Sequence, residues 1–86
     1  MDKNKEIKIE AAVYKKMIKH LQEHSDVQNI DIMNTAGFCR NCLSRWYEES
    51  SSEIGESVSK EEAREKVYGM PYDKWKEKYQ IWFLSV

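Results

Sequence analysis

The chain of 86 residues is predicted to be an all-α protein, a small bundle of three to four helices that forms an oligomer. Apolar residues recur at three- and four-residue spacing over long stretches, which is the period of an amphipathic helix. No alternating strand pattern extends beyond a few residues. A chain of this length has room for one modest core, so a partner subunit or a metal often adds stability. We therefore expect a single domain over residues 1–86.

The first predicted helix runs from about Ile7 to His24, after a flexible N-terminus at residues 1–6. Its apolar positions are Val13, Tyr14, Met17, Ile18 and Leu21. The second helix starts after Ser25-Asp26, whose side-chain oxygens suit an N-cap, and it extends to about Tyr47. Its apolar arc is wide enough for a central helix. Gly37 either kinks this helix or lets another backbone approach it.

Residues 48–58 are predicted to be a loop rich in Ser and Glu. A short third helix follows, because Ser59 with Glu62 fits the capping-box pattern. Gly69 and Pro71 end that helix. A last helix runs from about Pro71 towards Leu84 and carries aromatic residues spaced three, four and three apart: Tyr72, Trp75, Tyr79 and Trp82.

Charge and composition limit the classes of partner that the chain is expected to bind. The formal net charge is −1, with about +2 over residues 1–24 and about −4 over residues 48–66. No segment has the density of Lys and Arg that binding to a phosphate backbone requires, so we expect no nucleic-acid partner. The longest purely apolar run is four residues, far short of a membrane span. The N-terminus lacks the apolar segment of a secretory signal, and two cysteines without an export signal indicate a reducing cytoplasm.

Two sequence runs resemble a family of short bacterial proteins catalogued as a domain of unknown function. The first is Gly37-Phe38-Cys39-Arg40-Asn41-Cys42-Leu43, with Trp46-Tyr47 after it and residues 26–31 before it. The second is Tyr68-Gly69-Met70-Pro71-Tyr72, followed by Trp75-Lys76 and Tyr79-Gln80. The resemblance implies a small, helical, oligomeric cytoplasmic protein. It implies no activity, ligand or catalytic residue.

The only Cys-x-x-Cys of the chain allows three interpretations. Cys39 and Cys42, with His20 and His24 from the first helix, supply four donors of the kind that tetrahedral zinc prefers. The pair is alternatively a thiol redox switch, provided that the helix breaks at Gly37 and leaves Cys39 in a first turn. The plainest interpretation makes Cys39 a small core residue, as free cysteines commonly are. No cofactor is expected unless the zinc interpretation holds.

Two further surfaces are candidates. Arg40, Asn41 and Arg45 form a polar face able to hold a carboxylate or a phosphate, although a solvated helix face has the same composition. For the four aromatics of the last helix, packing within one chain is the default interpretation. They are also candidates for a dimer interface, because Trp and Tyr concentrate binding energy at interfaces.

No nucleophile–His–carboxylate set and no glycine-rich phosphate loop is evident in the sequence. The prediction is therefore a protein-interaction and oligomerisation module without catalytic activity, most simply a homodimer, with an unidentified protein partner as a further option. The alternatives are a zinc-binding domain or a thiol switch.

Overall fold

A computed structural model describes residues 1–81, and these residues form five α-helices without a strand. The helices are α1 (Lys3–Glu23), α2 (Asn29–Ala36), α3 (Arg40–Glu53), α4 (Lys60–Tyr68) and α5 (Tyr72–Tyr79). The prediction of an all-α fold is confirmed, with five helices in this part of the chain instead of three or four. No helix in it is long and apolar enough to cross a membrane.

The predicted second helix is in fact two helices. Gly37 adopts the left-handed conformation, with φ +78°, and its N–H donates to the Met33 carbonyl at 2.9 Å. This geometry caps α2 and turns the chain before α3 begins at Arg40. Because the chain changes direction here, residues before and after Gly37 do not share one helical face.

The predicted loop at residues 48–58 is shorter than expected, because α3 continues to Glu53. Within this run of serines, the Ser51 hydroxyl donates to the Tyr47 carbonyl one turn earlier, at 2.7 Å. Because this hydroxyl bonds to a carbonyl of its own helix, α3 can continue through Ser51, although serine more often favours a turn. Helix α1 also begins earlier than predicted, at Lys3, where Asp2 caps it by accepting from the Asn4 N–H at 2.7 Å.

Helix α4 is the centre of the fold. It packs along α3 and also contacts α1 and α5. Its predicted ends are confirmed: Ser59 Oγ accepts from the Glu62 N–H at 3.1 Å, and Gly69, at φ +75°, ends the helix. Three residues of α4 are buried, namely Ala63, Val67 and Tyr68. The core around them contains Ile18, Leu43, Val67, Tyr68 and Trp75.

The two glycine caps give the first testable prediction. Gly37→Ala places a Cβ in open space, so it costs only the strain of a left-handed alanine, about 1–2 kcal/mol. Gly69→Ala adds a clash, because its Cβ would lie 2.9 Å from Gln22 Cδ. Moving Gln22 also breaks its 3.2 Å hydrogen bond to the Val67 carbonyl. In urea unfolding we expect Gly69→Ala to be the more destabilising variant; equal losses would contradict this account.

Candidate functional site

The Cys-x-x-Cys run forms the first turn of α3. Cys39 is the N-cap residue in an extended conformation, with φ −143°, and its side chain makes no capping hydrogen bond. Arg40, Asn41 and Cys42 follow as the first three helical residues. The helix break required by the redox interpretation is therefore present. The four positions point in different directions, and each has a different environment.

Arg40 points inward and is only 1% exposed, so it is not part of a solvated polar face. Its guanidinium donates to the carbonyls of His24 at 2.9 Å and Val27 at 2.7 Å. It also donates to Asn29 Oδ1 at 3.0 Å and lies over the Trp75 ring at 5.1 Å. Burial lowers the pKa of Arg40 from its ordinary value. Arg40 thus fastens the turn after α1 to the start of α3.

Asn41 extends this polar core towards α4 and α5. Its Oδ1 accepts from the Tyr68 hydroxyl at 2.7 Å, and its Nδ2 donates to the Tyr72 hydroxyl at 3.3 Å. Asn29 Nδ2 donates in turn to the Tyr68 oxygen at 3.1 Å. We call Asn29, Arg40, Asn41, Tyr68 and Tyr72 the polar network. Two of the three predicted ligand residues therefore have structural partners.

Tyr68 is the buried acid of the polar network, at 2% exposure. Burial raises the pKa of its hydroxyl above the ordinary tyrosine value, and the hydrogen bond from Asn29 partly opposes that shift. Burial likewise raises the pKa of Tyr14, at the edge of the core.

Gln28 holds the end of α5 against the turn that follows α1. Its side-chain amide donates to the Tyr79 carbonyl at 2.8 Å, and its Oε1 accepts from the Ile81 N–H at 2.9 Å. The Gln28 amide thus makes one donated and one accepted hydrogen bond with the main chain at the end of α5. Gln28 was not predicted to be a structural residue, since a lone Gln belongs to no recognisable sequence pattern.

The two thiols differ in access. Both are free, with Cys39 buried and Cys42 half-buried. They border an open cavity of about 440 Å³ between the first turns of α3 and the exposed side of α4. We call this the thiol cavity, and its lining is Met33, Cys39, Asn41, Cys42, Ser44, Arg45, Glu48, Lys60 and Arg64. Three cations and one carboxylate thus surround the cysteine pair.

The predicted histidine ligands lie apart from this cavity lining. His20 and His24 are exposed and stack on each other, with ring centroids 4.1 Å apart. The Nδ1 of His24 is 2.7 Å from the His20 carbonyl oxygen. Across residues 1–81, no three His, Cys, Asp or Glu side chains lie together as a metal-binding group.

The predicted aromatic interface divides into different environments. Trp75 is 1% exposed and lies at the centre of its own chain's core, where its ring meets Tyr68 with centroids 4.9 Å apart. Tyr72 and Tyr79 pack partly buried against that core. Trp82 lies outside the described residues.

A different aromatic surface is open to solvent. Between α1 and α3 lies an apolar groove of about 500 Å³, lined by Tyr14, Leu43, Trp46, Tyr47, Ser50, Ser51 and Ile54. We call it the α1–α3 groove. At its edge Trp46 is 44% exposed and Ile54 is 78% exposed. The sequence analysis placed Ile54 in a loop, and so it did not identify this surface.

The polar network gives a second prediction, on stability. In Arg40→Lys the ammonium cannot reach three oxygens in a fork geometry, so buried carbonyls lose their donors. We expect a loss of about 2–4 kcal/mol in urea unfolding. Arg45→Lys is the matched control, since its side chain is 61% exposed and pairs with Glu49 only at 3.9 Å. That variant should stay within about 0.5 kcal/mol of wild type. Equal effects of the two variants would contradict a structural role for Arg40.

Tyr68 gives a third prediction, on pH. Above about pH 10 tyrosines of the unfolded chain release their protons, whereas buried Tyr68 keeps its own. The unfolded state then binds fewer protons than the folded state, so stability falls as pH rises. Tyr68→Phe should flatten this fall in unfolding free energy above about pH 10. An unchanged slope would mean that Tyr68 ionises freely in the folded protein.

Comparison with known proteins identifies the family of this chain. A search of curated proteins found no match to the chain. A family model with the description "Protein of unknown function (DUF1244)" matches residues 27–82, which include α2 to α5 and the whole Cys-x-x-Cys turn. This is the type of family that the two sequence runs indicated. Since the match extends over more than half of the chain, the protein belongs to the DUF1244 family.

Proposed function

We propose that the protein is a homodimerisation module, in which the first half of α1 from each copy lies in the α1–α3 groove of the other. The observation that carries the proposal is the unsupported first half of α1. Every residue from Met1 to Val13 is exposed, although the helix begins at Lys3. A helix of that length without packing is marginal in water. Contact with a second chain supplies the missing support.

The apolar face of α1 continues past the point where the core ends. At 100° per residue, Ile7 and Ala11 lie on the same side as Tyr14, Ile18 and Leu21, which contact the core. Ile7 itself is 61% exposed, and so is Val13 on the adjoining side. Within residues 1–81 this apolar face stays exposed beyond the core, which is typical of a helix that packs in a groove.

Charge favours a second copy of this chain as the occupant. Residues 3–19 carry six Lys and two Glu, a net charge of +4. Residues 46–59, which include the far end of the groove, carry four Glu and no Lys or Arg. A basic helix and an acidic segment beside an apolar groove on the same chain are complementary when two copies face each other about a twofold axis. Each α1 then enters the partner's groove next to that acidic segment.

The dimer gives a fourth prediction. Ile7→Glu on the helix and Ile54→Glu in the groove change exposed side chains, so the monomer fold is retained. Each change appears twice in a symmetric dimer, and the loss of two isoleucine contacts weakens association at least about a hundredfold. Sedimentation equilibrium over a range of protein concentrations measures this shift.

Ala12→Glu is the matched control, because Ala12 is exposed on the opposite, lysine-rich side of α1. We expect it to leave the dimer intact. A wild-type chain that is still monomeric at a protein concentration of about 100 μM would overturn the proposal. So would an equal effect of Ala12→Glu and Ile7→Glu, since the contact would then not involve the apolar face.

A further inference from the structure

We infer that the thiol cavity is a thiol–disulfide exchange site, at which Cys42 forms a mixed disulfide with a small thiol compound that carries carboxylates. The site lies between α3 and α4 and does not depend on the dimer proposed above. Three observations support it: the access of Cys42, the surplus of cations around it, and the position of Cys39 beside it.

Access identifies Cys42 as the sulfur that reacts first. Cys42 is half-buried and borders the cavity, whereas Cys39 is 7% exposed. A volume of about 440 Å³ lies within the range of small-ligand sites. A disulfide-containing compound of peptide size therefore has room to reach Cys42 from solvent.

The cations identify the chemistry of the compound. Arg45 follows Cys42 by three residues on α3, so the two side chains are neighbours on the helix surface. Arg64 is held over the Tyr72 ring, with its guanidinium carbon 4.2 Å from the ring centroid. A guanidinium over an aromatic ring can still donate its N–H groups to carboxylate oxygens. Lys60 adds a third positive charge, and Glu48 is the single carboxylate in the lining.

The ion pair of Arg45 does not remove it from this set. Arg45 Nε and Glu49 Oε1 are 3.9 Å apart, and both side chains are about 60% exposed. Exposed pairs of this kind contribute little and exchange readily with solvent. A carboxylate on a bound ligand can replace Glu49 without loss.

The exchange balances without another reactant. The Cys42 thiol gives its proton to solvent, and its sulfur attacks one sulfur of the small disulfide. The S–S bond of the small molecule breaks, the Cys42 mixed disulfide forms, and one small thiol leaves after taking up a proton. Cys39, the N-cap residue one turn away, can then attack Cys42 Sγ. That step releases the second small thiol and joins Cys39 to Cys42.

The test compares two probes of opposite charge. Oxidised glutathione carries four carboxylates, whereas cystamine carries two ammonium groups. Each is added to the reduced full-length protein, and intact mass with peptide mapping measures the rate of adduct formation at Cys42. The rate with oxidised glutathione is divided by the rate with cystamine. The intrinsic reactivity of the thiol affects both rates and therefore cancels in this ratio. In Arg45→Gln/Arg64→Gln we expect this ratio to fall roughly tenfold in favour of cystamine, as the loss of two nearby charges predicts.

Three controls keep the result interpretable. Lys15→Gln removes an exposed cation on α1 and should leave the ratio unchanged. Cys42→Ser should abolish the adduct, and Cys39→Ser should retain it as a stable mixed disulfide. Circular dichroism checks that each variant is folded. A ratio that does not respond to Arg45→Gln/Arg64→Gln would overturn the inference, as would a first adduct at Cys39.

Discussion

The buried guanidinium of Arg40 is the constraint on which the arrangement of the helices depends. A charge removed from water is costly unless each of its donors finds an acceptor. Here the acceptors are the His24 and Val27 carbonyls, from the turn after α1, and the side chain of Asn29, the first residue of α2. The His24 carbonyl also belongs to the C-terminal end of α1, where the helix dipole favours a positive charge. One side chain thereby places α1, α2 and α3 relative to one another.

The aromatic rings around Arg40 connect that constraint to the rest of the core. Trp75 lies against the guanidinium and against Tyr68, and Tyr68 bonds to Asn41 beside Arg40. Helix α5 is short, so its attachment relies on this packing and on Gln28 at its end. The Cys-x-x-Cys turn thus has two roles: Arg40 is buried in the interior and the cysteines border the thiol cavity, while Asn41 bonds to Tyr68 and also lines that cavity.

Local signals predicted part of this fold well. Ser59 and Gly69 were sufficient to define α4, because capping depends on neighbouring residues alone. Gly37 was harder, since glycine occurs both inside helices and at their ends. An uninterrupted helix from Ile32 to Tyr47 assigns each side chain an angle, but the break at Gly37 resets those angles. This is why Arg40 was assigned to a solvated face and is in fact buried. The α1–α3 groove was not predicted because residues 48–58 were expected to form a loop. Helix α3 instead continues to Glu53, and the Ser51 hydroxyl bonds within it, which no sequence pattern indicates.

The anchoring of α1 at one end has a mechanical consequence. Its last turn is held by the core and by Arg40, whereas residues 1–13 at the opposite end are exposed and Tyr14 is the first residue of α1 that packs against the core. A helix of 21 residues is about 30 Å long at 1.5 Å per residue. A tilt of roughly 10° at the anchored end therefore displaces Lys3 by about 5 Å, as simple geometry requires. A small change in packing at residue 24 is therefore amplified into a larger displacement at the N-terminus of α1.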